Sequence, residues 1–237
     1  MQLRRSLESV ARTSHHGLAL PRVTVVDRMT SLRRRLHRFF PTMRNVLVRR
    51  SLRALTLSDF RSVLVVGAGH DPYRHLFPAA RTYVRSDLAR HPGSTDVVSD
   101  GMALPFPDGS FQCAVATEVL EYVQRPRVFA AELYRVLGRD GVAVVTVPFV
   151  FQDHGDFWRP TRRSLGEVFQ DFSSVDIYAQ GNRFHTMMDL VTTAFTPWPV
   201  FYPLRVLSNL MFLVPTRFAA TNSRSTAPSG FLVLARK

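Results

Sequence analysis

The sequence is poor in cysteine, and this shortage excludes two kinds of site. Cys113 is the only cysteine among the 237 residues, so no internal disulfide can form, and its apolar neighbours predict a small buried side chain. No group of cysteines and histidines has the spacing of a metal site, so we expect no bound metal. Residues Met1–Leu20 lack the apolar core of a secretory signal. These absences favour a reducing, cytoplasmic setting.

Acidic residues are scarce, and lysine is almost absent. Arginine and lysine total 31 against 18 acidic residues, which gives a net charge of +13, and Lys237 is the only lysine. Residues 1–60 contain thirteen arginines but only three acids, Glu8, Asp27 and Asp59. Such a basic arm is typical of segments that bind an anionic partner, here a membrane surface or RNA. The alternative is a solvated extension without a partner.

The chain also lacks an uninterrupted apolar run long enough to span a membrane. The core of its most apolar stretch, Val191–Val214 within Met187–Phe218, is broken by three prolines and by Arg205. We interpret residues 186–220 as an apolar helical insertion before the last strand. Peripheral contact of this segment with a membrane surface is the alternative to packing on the domain.

The first quarter of the chain differs in character from the rest. From about Met29 to Leu57 apolar residues recur at helical spacing, and Pro41 divides the pattern. We therefore predict a basic N-terminal extension over residues 1–57, partly disordered and partly helical. One folded domain is predicted over residues 58–237.

Strands and helices alternate within that domain. Val63–Val66 is continuously apolar, as expected of a strand covered on both faces. Further strands are predicted at Thr82–Arg85, Asp96–Val98, Gln112–Ala116, Val142–Val147, Val175–Ala179 and Phe231–Ala235. Helices are predicted at Pro126–Leu137 and, capped by Thr161, up to about Phe169, with a turn at Gly138–Gly141. The alternation indicates an α/β fold: a doubly wound, mostly parallel seven-stranded sheet with an N-terminal helical extension.

Two glycines directly after the first strand indicate a ligand-binding turn. In the segment VLVVGAGHDPY, Val63–Tyr73, Gly67 and Gly69 allow a sharp turn and a close approach of a ligand to the backbone. Asp87 follows at the end of the second strand, where a carboxylate can accept both ribose hydroxyls of an adenosine. Pro72 occupies the place of the third glycine of a dinucleotide-binding turn. The pattern therefore favours phosphate-free S-adenosylmethionine over NAD, and an ordinary turn is the alternative.

The next stretch contains the most specific motifs. Residues 100–111 read DGMALPFPDGSF, residues 113–123 read CAVATEVLEYV, and residues 132–148 read ELYRVLGRDGVAVVTVP. This series resembles the methyltransferase type 11 group of class I S-adenosylmethionine-dependent methyltransferases, whose motifs read roughly D-x-x-x-LPF-x-D-x-SFD, VLEH and E-x-x-RVL-x-x-GG. The resemblance covers about Val63–Phe172. It implies a Rossmann-like methyltransferase domain with S-adenosylmethionine as its cofactor.

The resemblance assigns the cofactor-binding residues by their positions after the strands. The glycine turn would border the methionine part, the second strand's end would hold the ribose, the turn after the third strand would hold adenine, and the fourth strand's end would flank the sulfonium. The glycine turn contributes Gly67, Ala68 and Gly69, and the end of the second strand contributes Asp87 and Leu88. The turn after the third strand contributes Asp100, Gly101 and Met102, and the end of the fourth strand contributes Thr117, Glu118 and Val119. The structural alternatives are that Asp100 caps a turn and that Met102 belongs to the core.

The sequence departs from the family pattern at three informative positions. Val65 stands where the family has an acidic residue two positions before the first glycine, which removes a partner for the methionine ammonium. Asp71, on the same loop, is the candidate replacement. Tyr122 stands in place of the histidine of VLEH, and Asp140 replaces the first glycine of the closing pair.

The loop over residues 148–161, PFVFQDHGDFWRPT, contains candidate catalytic groups at the end of the fifth strand, where such folds place ligands. An acceptor alcohol must release its proton during methyl transfer, and His154 is the candidate base, with Asp156 as its orienting partner. Glu118 is a further acid/base candidate, and Glu121 is interpreted as structural. The candidate substrate-binding residues are Tyr122, Trp158 and Arg159. Alternatively, His154 anchors the loop and Arg159 pairs with an acid.

Three functions are consistent with these patterns. The favoured one is methyl transfer to a small-molecule, saccharide or lipid-linked acceptor, with O-methylation preferred. Methylation of nucleobase amines is disfavoured because Thr117-Glu118-Val119-Leu120 replaces the Asn/Asp-Pro-Pro-Tyr/Phe segment of those enzymes. The alternatives are an RNA-directed methyltransferase that uses the basic arm, and a non-catalytic binding protein with a degenerate methyltransferase fold. An NAD-dependent oxidoreductase is disfavoured by Pro72.

Overall fold

Seven strands form a single sheet in the computed structural model, which describes residues 42–151, 155–194, 207 and 227–237. The strands run in the order β3-β2-β1-β4-β5-β7-β6. Their bounds are β1 Ser62–Val66, β2 Thr82–Asp87, β3 Val97–Val98, β4 Phe111–Thr117, β5 Leu137–Pro148, β6 Ser174–Gln180 and β7 Gly230–Arg236. The helices are α1 Met43–Arg53, α2 Pro126–Val136, α3 Arg162–Val168 and α4 Arg183–Ala194, with 3-10 turns at Arg74–Leu76 and Leu120–Tyr122.

The sheet is mostly parallel, as predicted. Strands β1 to β5 pair in parallel, whereas β7 lies antiparallel between β5 and β6. Val63, Leu64, Val65 and Val66 of β1 are all buried, because a parallel strand at the centre of a doubly wound sheet is covered on both faces. The parallel order brings the carboxyl ends of β1, β2 and β4 to one edge, which is where such folds bind ligands.

Each face of the sheet carries its own apolar core. On one face, Phe129 and Leu133 of α2 pack in a buried cluster with Phe169. On the other face, Val48 and Leu52 of α1 pack in a cluster that includes Val63 and Val65 of β1. At about 25 cal/mol per Å² of apolar surface, burial of side chains of this size is the main source of stability for such a fold.

Helix α1 therefore belongs to the core, although the sequence pattern assigned it to an extension over residues 1–57. Thr42 begins it by accepting a hydrogen bond from the backbone N–H of Asn45 at 3.3 Å. The division of the chain at 57/58 stays a prediction. Residues 1–41 lie outside the described part of the chain, and the predicted helix before Pro41 lies there too.

The predicted turn at Gly138–Gly141 lies inside β5 rather than before it. Leu137 pairs with Phe111 of β4, whereas Val142 pairs with Cys113, so the register shifts and the intervening residues form an excursion. Asp140 adopts a positive φ of 61° there. The glycines that predicted a strand boundary thus accommodate a bulge.

Two further predictions concern the second half of the domain. Thr161 caps α3 as predicted, and it forms a reciprocal capping box with Ser164. Helix α4 begins the predicted apolar insertion at 186–220, most of which lies outside the described residues. None of the helices in the described ranges is long and apolar enough to cross a membrane.

Candidate active site

A cleft of about 550 Å³ opens at the carboxyl ends of β1, β2 and β4. Nine of the predicted site residues line it: Gly67, Asp87, Leu88, Asp100, Gly101, Met102, Glu118, Val119 and Tyr122. Its other described lining residues are Val66, Ser99, Val123, Gln124, Phe129 and Phe157. The structure therefore brings together the ends of four strands, β1 to β4, that the sequence places up to about fifty residues apart.

Two glycines shape this cleft because a side chain would not fit at either position. Gly67 has a φ of 67°, and a Cβ added there would lie 2.2 Å from Cγ2 of Val119. A Cβ on Gly101 would lie 2.6 Å from the ring of Phe129. The glycine turn thus packs directly against Val119, the second residue after β4, and the absence of side chains at Gly67 and Gly101 lets Val119 and Phe129 reach the backbone of the cleft wall.

Asp87 is held rigidly at the end of β2. Its Oδ2 accepts the backbone N–H of Gly69 at 2.8 Å, and its Oδ1 accepts that of Ala89 at 3.0 Å. Each carboxylate oxygen has two lone pairs, so further acceptor sites remain for the hydroxyls of a ligand. Gly69 itself is absent from the cleft lining, and its role in the site is to anchor Asp87.

Asp100 holds the turn after β3. Its Oδ1 accepts the backbone N–H of Met102 at 2.8 Å, so the residue does cap a turn, as the structural alternative proposed. It lines the cleft as well, so the two roles are compatible. Met102 also contacts the larger apolar cluster, and it therefore joins the cleft wall to the core.

The carboxylate of Asp71 accepts hydrogen bonds from residues that do not line the cleft. Its Oδ1 accepts the hydroxyl of Tyr83 at 3.0 Å and the backbone N–H of Tyr73 at 3.3 Å. Burial raises the pKa of the Tyr83 hydroxyl, and the carboxylate of Asp71 raises it further. Asp71 is not among the residues that line the cleft. The structure thus gives no support to its predicted contact with the methionine ammonium, and Ala68 and Thr117 do not line the cleft either.

Glu118 directly follows β4, and its carboxylate forms an ion pair that the sequence did not indicate. Nε and Nη2 of Arg44, on α1, donate to its two oxygens at 2.8 and 2.6 Å, and the hydroxyl of Thr146 donates to Oε1 at 2.9 Å. Glu118 also has a positive φ of 56°, which is uncommon for a residue other than glycine. A carboxylate paired in this way is a poor general base, so the geometry disfavours the predicted catalytic role of Glu118.

Glu121 is fully buried beside this pair, on the 3-10 turn after β4. Neither of its carboxylate oxygens has a hydrogen-bond partner within the described part of the chain. Burial, followed by repulsion from Glu118, raises its pKa to about 8, so it is mostly protonated at neutral pH. Its carbonyl accepts the backbone N–H of Phe157 at 2.8 Å, which attaches the following loop to the turn.

The loop after β5 forms a second cavity of about 490 Å³ beside the cleft. Phe157 lines both spaces, and the other described lining residues of the second are Phe149, Val150, Phe151, Asp156, Trp158 and Arg159. Asp156 forms an ion pair with the guanidinium of Arg159, as the structural alternative for Arg159 proposed. Nε1 of Trp158 donates to the carbonyl of Leu120 at 2.8 Å. His154 lies outside the described residues.

A comparison with protein families shows which domain this is. Residues 68–145, from the glycine turn to β5, match the family model of a methyltransferase domain. The chain carries a class I S-adenosylmethionine-dependent methyltransferase domain. Its cofactor is S-adenosylmethionine. A search of curated proteins found no match.

Solved structures share the fold of this methyltransferase at low sequence identity. A SAM-dependent methyltransferase from Archaeoglobus fulgidus is 14% identical with a TM-score of 0.56, over 85% of this chain and 97% of its own. A possible histamine N-methyltransferase from Thermotoga maritima is 13% identical with a TM-score of 0.56, over 90% and 99%. The [4+2]-cyclase SpnF is 17% identical with a TM-score of 0.50, over 82% and 79%. These likenesses show the fold alone.

The cleft of the methyltransferase domain fits a positively charged adenosine. Its described lining includes three carboxylates, on Asp87, Asp100 and Glu118, and no basic side chain. Such a wall complements a sulfonium and would repel the phosphates of a dinucleotide. No group of side chains in the described ranges could hold a metal ion.

The sequence did not single out several residues that shape the site. Ser99, Gln124 and Phe157 line the cleft, and Arg44 holds Glu118. Phe157 stands between two predicted site residues, so the loop motif already pointed to its neighbourhood. Arg44 is 74 residues before Glu118 and carried no signal, because only the folded chain brings the two together.

Proposed function

We propose that this methyltransferase transfers a methyl group to the oxygen of a small-molecule, saccharide or lipid-linked acceptor. The observation that carries the proposal is the shared wall at Phe157. It borders both the cleft with Asp87 and Asp100 and the aromatic cavity after β5. A cofactor in the first space would leave the second for the acceptor.

The proposed cofactor contacts follow the order of the strands. Asp87 and Leu88 contact the ribose, Asp100, Gly101 and Met102 contact adenine, and Gly67 and Val119 border the methionine part. Ala68, Gly69 and Thr117 support this wall from behind. The fixed carboxylate of Asp87 suits a ribose, because its oxygens are already oriented by two backbone N–H groups.

The rim of the cleft supports an acceptor with an apolar part. Leu88, Tyr122 and Phe157 are large apolar side chains that remain exposed there. Exposed aromatic side chains at a cleft bind apolar or ring-shaped groups through both burial and stacking. Tyr122, on the turn after β4, and Trp158, in the loop after β5, are the proposed acceptor contacts. Arg159, held by Asp156, positions the loop that contains Trp158.

S-adenosylmethionine bound by the residues named above would supply a methyl group on a positively charged sulfur, and that sulfur would leave with the bonding electron pair when the acceptor oxygen attacks. The chain must align that oxygen with the methyl group and receive its proton. We assign the proton to His154, in the loop after β5. Asp156 is engaged by Arg159 and therefore supports the loop, and its role as the orienting partner of His154 stays a prediction.

Cofactor binding is tested by replacing Asp87. We expect Asp87→Ala to weaken binding of S-adenosylhomocysteine, measured by calorimetry, by about tenfold or more, since a hydrogen bond to a charged group contributes about 1.5–3 kcal/mol. Asp171→Ala, an exposed site outside the cleft, is the matched control. Equal affinity in both variants would remove Asp87 from the site. Candidate acceptors are then screened by measuring the S-adenosylhomocysteine that turnover releases, with the wild type and with His154→Ala.

A second candidate is methylation of an RNA acceptor. The observation that favours it is the surface of α1, where Arg49, Arg50 and Arg53 are exposed and continue the basic character of residues 1–41. Anionic lipid is the other partner of matching charge. In either case we propose a cytoplasmic protein, with membrane contact confined to its surface.

A further inference from the structure

The glycine turn of this chain supplies no acid to the methionine end of the cleft. Val65, at the position where the family has an acidic residue, is only 2% exposed and packs in the apolar cluster with Val48 and Leu52 of α1. An ionised side chain there would be costly, because α1 seals this face of the sheet. Asp71 is held by Tyr83 and does not line the cleft.

Among the three carboxylates of the described cleft wall, Glu118 is the one next to the glycine turn in the fold. The residue after it, Val119, lies against the glycine turn at Gly67. The other two carboxylates of the cleft, Asp87 and Asp100, follow β2 and β3 and therefore lie toward the ribose and adenine. The side chain of Glu118 is 28% exposed, so a ligand in the cleft can reach it.

The carboxylate of Glu118 is oriented but not saturated. Oε1 accepts two hydrogen bonds, from Arg44 and Thr146, whereas Oε2 accepts one, from Nε of Arg44. A carboxylate oxygen can accept two, so Oε2 can take another donor. Arg44 is itself fixed, since it is only 3% exposed and its backbone N–H donates to Asp189 at 3.0 Å.

We propose that Glu118 binds the ammonium group of the methionine part of the cofactor and that Arg44 is the positioning residue for its carboxylate. This inference rests on the proposed binding of the cofactor in the cleft. The guanidinium of Arg44 orients the carboxylate through two hydrogen bonds, so that an ammonium meets a preformed acceptor. Through Arg44, helix α1 thus orients a carboxylate that replaces the acidic residue missing at Val65.

The decisive test compares two ligands that differ at the methionine end. S-adenosylhomocysteine has the ammonium, whereas 5′-methylthioadenosine has the same adenosine and sulfur without it. We expect Glu118→Gln to weaken binding of the first by about tenfold to a hundredfold, as for a charge-assisted hydrogen bond, and to leave the second within about twofold. Glu167→Gln is the matched control, because the side chain of Glu167 is exposed on α3, and it should change the affinity for neither ligand.

Other results of this test have definite meanings. If Glu118→Gln weakens both ligands equally, or neither, the ammonium contact is refuted. If the wild type binds neither ligand, the proposed cofactor site fails, and this outcome is distinct from failure of the Glu118 assignment. Should Glu118→Gln not fold because Arg44 is left buried without its partner, the double variant Arg44→Gln and Glu118→Gln removes both charges and is tested in the same way.

Arg44 is tested by the same pair of ligands. We expect Arg44→Met to weaken S-adenosylhomocysteine by about threefold to tenfold while 5′-methylthioadenosine is unaffected, and Arg44→Lys to restore part of the loss. A purely structural role would lower thermal stability without discriminating between the ligands. Tighter binding of S-adenosylhomocysteine by Arg44→Met would show that Arg44 competes with the ammonium, which would overturn its assignment.

Discussion

Single residues in this methyltransferase take roles that depend on partners far away in the chain. Asp87 and Asp100 match the family motif and line the cleft. Glu118 matches it too, but its carboxylate is paired with Arg44, which lies 74 residues earlier in the chain. Glu121 is the opposite case, because its buried carboxyl has no described hydrogen-bond partner and remains mostly protonated at neutral pH.

The titration of Glu121 predicts a pH effect on stability. Its pKa is about 8 in the folded chain and near 4.5 when exposed, so its contribution to stability is full below pH 4.5 and is lost as pH rises toward 8. We expect Glu121→Gln to abolish this loss. The free energy of unfolding of the variant relative to wild type should rise between pH 5 and pH 8, by at most about 1.4 kcal/mol per pH unit.

Urea denaturation at pH 5, 6.5 and 8 measures this difference. The charged groups nearest to Glu121 are Glu118, Arg44 and Arg159, and all remain in the variant. Asp189, whose pKa is raised to about 6 by burial, titrates in both proteins and cancels in the comparison. A difference that stays constant with pH would show that Glu121 does not titrate in this range.

At the scale of whole elements, local patterns predicted some features and missed others. Strands β1 and β4 were predicted to within a residue or two, because continuous apolar runs leave no other way to bury their side chains. The excursion inside β5 was not predicted, since Gly138 and Gly141 also suit an ordinary turn. Periodicity alone could not place α1 in the core, because it predicts an apolar helix face but not the element against which that face packs.

That place of α1 predicts the effect of shortening Leu52. The side chain is 1% exposed among the residues of the apolar cluster that includes Val63 and Val65. We expect Leu52→Ala to lower the free energy of unfolding by about 2–5 kcal/mol, through lost burial and a residual cavity. Arg53→Ala, the exposed neighbour, should change it by less than about 0.5 kcal/mol. If urea denaturation shows that Leu52→Ala and Arg53→Ala lower the free energy of unfolding equally, α1 is an extension and not part of the core.

At the scale of the whole molecule, the described cleft wall and the exposed surface of α1 differ in the sign of their charge. The described cleft wall has carboxylates and no basic side chain, whereas the net charge is +13 and the exposed arginines of α1 lie on the opposite side of that helix from its buried face. The cleft therefore suits a cation and the outer surface suits an anion. This division separates cofactor binding from any contact with RNA or lipid, and it allows each to be weakened without the other.

The outer surface is tested by its dependence on salt. We expect the protein to bind single-stranded RNA at low ionic strength, with affinity that falls steeply as salt is raised, because each contact with a phosphate releases counterions. The triple variant Arg49→Gln, Arg50→Gln and Arg53→Gln should lower the slope of log affinity against log salt by up to about three, while S-adenosylhomocysteine binding is retained. Glu167→Gln serves again as the control. Binding to vesicles of anionic lipid but not to RNA would favour a lipid-linked acceptor, since the same arginines would then hold the domain against the surface where that acceptor resides.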